Sequence, residues 1–173
     1  MKKNCLRFLG AWVMFLLLAA FNPLLAQQSK DVTFQVTLAE WYDLYIGTNS
    51  VTFTDIAPTV GAAPGTVQIA ANENPVAVRV FAIMAPASSL RLTVTAAGDF
   101  HSTVPASTVS WTVSGSGYQA GSLLAGSAVS VGQWTGSIFH WHEGQLNFRF
   151  LRDYVNQQPG TYSITATYTL SKV

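Results

Sequence analysis

Apolar and polar side chains alternate along most of the sequence after residue 30, which is the period of a β-strand with one buried face. The alternation is clearest near the C-terminus, where Tyr162, Ile164, Ala166, Tyr168 and Leu170 share one face and hydroxyl residues occupy the other. The pattern therefore predicts strands throughout this part of the chain. They cover residues 32–38, 41–46, 51–54, 66–70, 76–81, 90–95, 109–113, 137–141, 146–150 and 162–171.

Short segments rich in glycine and proline separate the predicted strands, for example at residues 74–75, 97–99 and 159–160. Proline presets one turn torsion and glycine permits positive φ, so each segment is a turn signal. No stretch after residue 26 shows a sustained helical period. Many short strands with regular turn signals predict an all-β fold, an antiparallel β-sandwich of about nine short strands.

The first 26 residues have the three parts of a secretory signal peptide. Lys2, Lys3 and Arg7 precede an apolar run over residues 8–20, and a small residue, Ala26, follows a few positions later. A membrane anchor is the alternative interpretation, although an anchor needs about 20 apolar residues. The sequence therefore predicts cleavage after residue 26, export to the periplasm, cell surface or medium, and no membrane span after cleavage.

Charge and cysteine content narrow the function of the remaining domain, predicted over residues 27–173. The chain has nine basic and eight acidic residues, so its net charge is near zero, whereas nucleic-acid binding needs a strongly basic face. Its one cysteine, Cys5, lies in the predicted leader, which excludes an internal disulfide and a multi-cysteine zinc site. The domain must therefore be stabilised by a hydrophobic core.

Two clusters of polar residues contain the residue types of a metal site or a catalytic site. His140 and His142 are two residues apart on a predicted strand and would share a face, so both could ligate a metal; a polar strand end is the commoner use. Asp99, His101 and Ser102 are the residue types of a hydrolase triad, but residues so close in sequence rarely reach its geometry. The sequence predicts no enzyme activity, no cofactor and no bound metal.

Aromatic residues suggest both core and binding positions. Trp111 lies between Val109 and Val113 on an apolar face and is predicted to be a core residue. Trp41, Tyr45 and Trp134 are predicted to be more exposed, and exposed aromatic rings can stack on sugars. They are the candidate ligand contacts, with packing inside the sandwich as the alternative.

Two stretches resemble known families. Residues 74–78 read Asn-Pro-Val-Ala-Val, and the layout of residues 41–100 around them resembles bacterial immunoglobulin-like surface domains. Residues 159–162 read Pro-Gly-Thr-Tyr before an alternating strand, which resembles the last strand of spore-coat-U-type and chaperone–usher fimbrial subunits. Such pilins usually carry a cysteine early in the domain, and residues 27–173 have none. The resemblance implies an immunoglobulin-like sandwich and a role in surface assembly or cell adhesion.

The N-terminal strand candidate connects the fold to function. Val32, Phe34, Val36 and Leu38 alternate with polar residues soon after the predicted cleavage site. Residues 27–38 could form an edge strand of their own sandwich, or act as a donor strand that completes a neighbour. We therefore expect an exported structural subunit of the bacterial surface, fimbria-like or part of the envelope, whose partners are other surface subunits, including copies of itself. A secreted binding module for glycans or proteins is the alternative.

Overall fold

The computed structural model of the protein describes residues 30–58 and 65–173, so the predicted leader over residues 1–26 lies outside the described residues. The chain divides into two compact units, Met1–Thr37 and Leu38–Val173. The described part of the first unit, residues 30–37, contains no helix or strand, and all of its residues are exposed. The nine strands of the structure all belong to the second unit.

The second unit is built from strands, joined by turns and one 3-10 turn at Ala106–Thr108. In the part of the chain that the structure describes, no helix is long and apolar enough to cross a membrane. The predicted all-β class and the number of strands are confirmed. The strands are β1 (Trp41–Ile46), β2 (Thr66–Ala70), β3 (Val76–Ile83), β4 (Ser89–Ala96), β5 (Val109–Ser114), β6 (Gly121–Ser122), β7 (Ala128–Thr135), β8 (Ile138–Asp153) and β9 (Ala166–Lys172).

The strands form two antiparallel sheets, which make a β-sandwich. The first sheet has the order β1-β3-β8-β5-β6, and β2 pairs with the second half of β8. The second sheet has only three strands, in the order β7-β4-β9. The 16-residue strand β8 is the centre of the first sheet, because β3 and β2 lie along one side of it and β5 along the other. Strand β1 ends the first sheet and β9 ends the second, and each has one edge that pairs with no other strand of the described residues.

Alternate residues of both sheets point inward and form one core. Val78 and Val80 of β3 and Leu92 and Val94 of β4 have no solvent exposure. Burying a valine or leucine side chain stabilises a protein by about 1.5–3 kcal/mol, so these strands carry much of the fold. Trp111 is 2% exposed, which confirms the prediction that it is a core residue.

Several predicted elements differ in the structure. The predicted strand over residues 32–38 is not formed, since no residue between 30 and 40 belongs to a strand. The alternating pattern would give a strand one apolar face. A strand also needs a neighbouring strand that pairs with its backbone N–H and C=O groups. The predicted strand over residues 51–54 is likewise absent, and the last strand begins at Ala166 rather than at Tyr162.

In the middle of the chain, the strands differ from those that the two-residue repeat predicts. The predicted strands over residues 137–141 and 146–150 are parts of one strand, β8, because the chain continues through Gly144 without a turn. Strand β7 was not predicted. Its pairing with β4 shifts at Leu92 and Thr93, so the adjacent residues Val131 and Gly132 are both buried. Such a bulge breaks the two-residue repeat on which the prediction depends.

Candidate functional site

A groove of about 610 Å³ opens between the two sheets on the side of β1 and β9. We call it the edge groove. Its floor includes the core residues Val76, Val109, Leu123 and Phe148, and its rims are residues 48–53 and 161–165. Neither rim belongs to a strand, so the core is accessible here to an apolar side chain from outside.

One end of this side of the sandwich is closed by an ion pair. Lys172 Nζ, at the end of β9, lies 2.7 Å from Glu40 Oε2, just before β1. Glu40 Oε1 also accepts a hydrogen bond from the backbone N–H of Ala85 at 3.0 Å. The hydrogen bond from Lys172 and then that from Ala85 lower the pKa of the Glu40 carboxyl below its usual value. The ion pair joins the two outer strands at one end, while the groove opens where β1 ends at Ile46.

The strand beside the groove has unused pairing capacity. On one side β9 pairs with β4, and its other edge has no partner among the described residues. Just before β9, the backbone of residues 161–164 makes no backbone hydrogen bond within the described parts of the chain. The inward side chains Ile164, Ala166 and Tyr168 are only partly buried. This edge can therefore accept one more strand.

A second depression of about 590 Å³ continues the edge groove and shares Phe53, Phe100 and Tyr162 with it. Here the Phe150 ring lies 5.7 Å from the ring of Phe53 and 6.3 Å from that of Phe100. At its polar end, Arg152 donates to Asp55 at 3.1 Å. This second depression is thus an aromatic pocket in which Asp55 neutralises the charge of Arg152. Such a pocket suits a large apolar side chain.

The N-terminal segment presents a matching pattern. We call residues 30–38 the leading segment. Val32, Phe34, Val36 and Leu38 are all exposed, and Phe34 reaches 92% exposure. Exposed apolar side chains at every second position give an extended segment one apolar face, and contiguous exposed apolar surface often marks an interaction site. The four residues predicted to take part in strand assembly are therefore accessible.

A second feature lies on the outer face of the first sheet. Trp41, Phe81 and Trp141, on the adjacent strands β1, β3 and β8, form what we call the aromatic row. The Phe81 ring centroid lies 5.0 Å from that of Trp41 and 5.8 Å from that of Trp141. Trp41 and Trp141 are 54% and 39% exposed. Tyr45, the other β1 aromatic predicted to be accessible, is also exposed.

Trp134 was predicted to be exposed, and that prediction is wrong. It is 7% exposed, and its indole N–H donates to the carbonyl of Ser116 at 3.0 Å. Its ring packs against Tyr118, with centroids 4.9 Å apart. Gly117 and Gly132 lie against the indole, where a Cβ atom would overlap it. Trp134 is therefore a packing residue and cannot contact a ligand on the surface.

His140 and His142 lie side by side, but no third metal-ligating side chain of the described residues joins them. The rings of His140 and His142 stack with centroids 5.2 Å apart. Glu143 points to the other face of the sheet, where it lies 3.2 Å from Arg79 Nε. Within residues 30–58 and 65–173, no group of three or more His, Cys, Asp or Glu residues could hold a metal ion.

The residues with triad identities form a turn. Asp99 Oδ1 accepts a hydrogen bond from the backbone N–H of Ala106 at 2.7 Å. His101 Nδ1 lies 3.1 Å from Thr103 Oγ1 and 3.4 Å from Ser102 Oγ. In a catalytic triad this ring nitrogen would face the carboxylate, so the arrangement does not match one.

The sequence did not predict the edge groove, Phe81 or Trp141 as site features. A signal for the last two existed, since both alternate with inward residues on their strands, but periodicity does not say which strands are adjacent. The sequence matches no protein-family model and no curated protein. The structure defines the class, an antiparallel β-sandwich of two sheets.

Proposed function

We propose that the protein is an exported structural subunit of a bacterial surface assembly, in which the leading segment of one copy occupies the edge groove of the next. The observation that carries this proposal is the exposure of four alternating apolar side chains, Val32 to Leu38, in a chain whose core is open beside β9. The predicted export signal over residues 1–26 and the resemblance to fimbrial subunits support it.

The two surfaces have compatible lengths and chemistry. An extended segment from Val32 to Leu38 spans about 20 Å at roughly 3.3 Å per residue. The groove follows residues 161–168, a stretch of similar extended length. In strand addition, backbone hydrogen bonds to the free edge give affinity, and pockets for alternate side chains give register. The free edge of β9 and the apolar floor of the groove supply both.

The geometry of such an exchange favours a filament. The donor and the acceptor are different surfaces of one chain, so the contact between two copies leaves one donor and one acceptor free. Contacts of this heterologous kind form rings if they close and open filaments if they do not. An extended assembly can therefore form without any further contact, provided that the repeated contact does not close into a ring.

The proposal is tested by sedimentation of residues 27–173 over a range of concentrations. We expect concentration-dependent association that is lost in Phe34→Asp and in Val36→Asp, because a carboxylate cannot enter the apolar groove unpaired. Gln35→Asp is the matched control, since residue 35 is on the polar face of the segment; it should associate like the unchanged protein. At concentrations too low for association, the melting curves should be alike for all variants, because association itself stabilises the folded state.

Engineered cysteines test the acceptor side. Residues 27–173 contain no cysteine, so a copy with Phe34→Cys and a copy with Ile164→Cys can form only the introduced bonds. A mixed disulfide between these copies, absent when the first carries Gln35→Cys, is the expected result. A monomer at every concentration, or association that Phe34→Asp leaves intact, would contradict the proposal.

A secreted binding module remains the second candidate function. The specific observation in its favour is the exposed aromatic row, which assembly through the edge groove does not use. The two functions are compatible in one subunit, because the row is on the outer face of the first sheet and the groove lies between the sheets.

A further inference from the structure

We infer that the aromatic row is a saccharide-binding site, in which the exposed rings of Trp41 and Trp141 stack on the apolar faces of sugar units. The two rings are tilted by 54° and 53° from the ring of Phe81 between them, so each presents its own face to the ligand. The row crosses three adjacent strands, and its two tryptophans are 54% and 39% exposed. This inference gives the binding-module alternative a site and a ligand class. It does not depend on strand assembly.

A bulge in β8 concentrates aromatic side chains at this place. Val80 pairs with His142 and Ala82 pairs with Ile138, so Phe81 alone faces three residues of β8. A regular ladder would place one outward β8 residue opposite Phe81, whereas the bulged segment contains both Phe139 and Trp141, of which the Trp141 ring lies beside Phe81. Phe139 is 74% exposed. Bulges commonly re-aim side chains next to functional sites.

Hydrogen-bonding groups flank the rings on the same face. Asp43 of β1 lies opposite Phe81, and Arg79 is the next outward residue of β3. Arg79 Nε lies 3.2 Å from Glu143 Oε1, and its guanidinium lies 5.4 Å from the centre of the Tyr45 ring. The side chains of Arg79 and Glu143 remain 47% and 67% exposed. Carboxylate acceptors and a guanidinium donor are thus available beside an apolar surface.

This combination fits a sugar chain better than it fits an apolar protein surface or a lipid. Each sugar unit has an apolar C–H face that can cover a ring and a rim of hydroxyls that can bond to carboxylates and guanidinium. An apolar protein partner would have to desolvate the Asp43 carboxylate and the Arg79–Glu143 ion pair, which is costly. An anionic membrane surface would be repelled by Asp43 and would find Arg79 already neutralised by Glu143.

Binding is measured with residues 27–173 and defined probes. Cellulose and chitin are used as insoluble probes in co-sedimentation, and cellohexaose and chitohexaose are titrated while tryptophan fluorescence is recorded. We expect retention on at least one polysaccharide and a saturable fluorescence change with its oligosaccharide. Trp41→Ala and Trp141→Ala should each weaken binding tenfold or more. Tyr42→Ala, an exposed aromatic outside the row, should stay within twofold.

Melting curves of the three variants show whether a loss of binding is a loss of folding. If Trp141→Ala fails to fold, Trp141→Phe, which keeps a ring, and Trp41→Ala carry the test. Failure of all four probes to bind, or equal binding by the row variants, would overturn the inference. Binding to phosphatidylglycerol–phosphatidylcholine vesicles in place of the saccharides would also overturn it. Retained sugar binding in Phe34→Asp separates this site from strand assembly.

Discussion

Two tryptophans show that the burial of a side chain follows from the sequence only where its strand is regular. Trp111 lies in β5, where the alternation of Val109, Trp111 and Val113 is unbroken, and its burial followed from the sequence. Trp134 lies in β7 just beyond the bulge at Val131 and Gly132. The two-residue repeat therefore does not predict whether its side chain points into the core. The environment of a residue is thus predictable only while the repeat holds.

Trp111→Ala should destabilise the protein by about 3–5 kcal/mol, the usual range for removing a buried large aromatic side chain. The indole N–H donates to the carbonyl of Gln119 at 2.9 Å, and its ring lies 6.3 Å from that of Phe148. Chemical denaturation measures the change in the free energy of unfolding. Thr112→Ala, at the exposed neighbouring position, should stay below about 1 kcal/mol. A similarly small loss for Trp111→Ala would contradict its core assignment.

Glycine positions decide whether the largest side chains fit. The Tyr118 hydroxyl oxygen lies 3.0 Å from the carbonyl oxygen of Val78 and 2.8 Å from that of His142, so its one hydrogen is shared between two acceptors and links β3 to β8. Its ring covers Gly144, where a Cβ atom would overlap it. Burial, followed by the charge of Glu143, raises the pKa of the Tyr118 hydroxyl and keeps it a donor. Gly144 thus continues β8, although glycine usually weakens a strand.

At the scale of elements, the proposed strand addition depends on the outer strands β1 and β9. They are joined at one end by Glu40 and Lys172, and they leave the edge groove open at the other. The second sheet has three strands and the first has six, so the two sheets cannot cover each other completely. An added strand beside β9 would extend the smaller sheet.

The ion pair between these strands predicts a pH dependence. Because the pKa of Glu40 is lowered in the folded protein, its stabilising contribution is complete above the usual pKa of a glutamate and is lost as the pH falls through the lowered value. Glu40→Gln should therefore lower the urea midpoint at neutral pH, and the difference from the unchanged protein should vanish in acid. Lys172→Gln should lower the urea midpoint in the same pH-dependent way. The double variant should lower it no further than either single variant. A constant difference at every pH would show that the charge is not involved.

At the scale of the whole molecule, the core and the leading segment are separate in sequence. The buried core residues all lie between Ala71 and Phe148, and those packed around them lie between Leu44 and Leu170. The leading segment contributes none of them. The sandwich thus has a core of its own and needs no disulfide, since the single cysteine is Cys5.

Removal of residues 27–38 should therefore leave a folded monomer. We expect the chain starting at Ala39 to unfold in one cooperative transition, with a melting temperature within about 4 °C of that of residues 27–173, equivalent to a change of no more than about 1 kcal/mol. Differential scanning calorimetry measures this, and sedimentation gives the size. A truncated chain without a cooperative transition would show that these residues belong to their own core.

The sequence by itself determined the all-β class and the inward faces of most strands. The two-residue repeat at Val76–Val80 or Tyr168–Leu170 is a local property, and burial of one face follows from it. Only the tertiary structure decided which strands are neighbours, that residues 30–40 join none of them, and that the core is open beside β9. It also brought Trp41, Phe81 and Trp141 into one row. The physical reason is that pairing, bulges and edges depend on hydrogen bonds between segments far apart in the chain, which local periodicity does not encode.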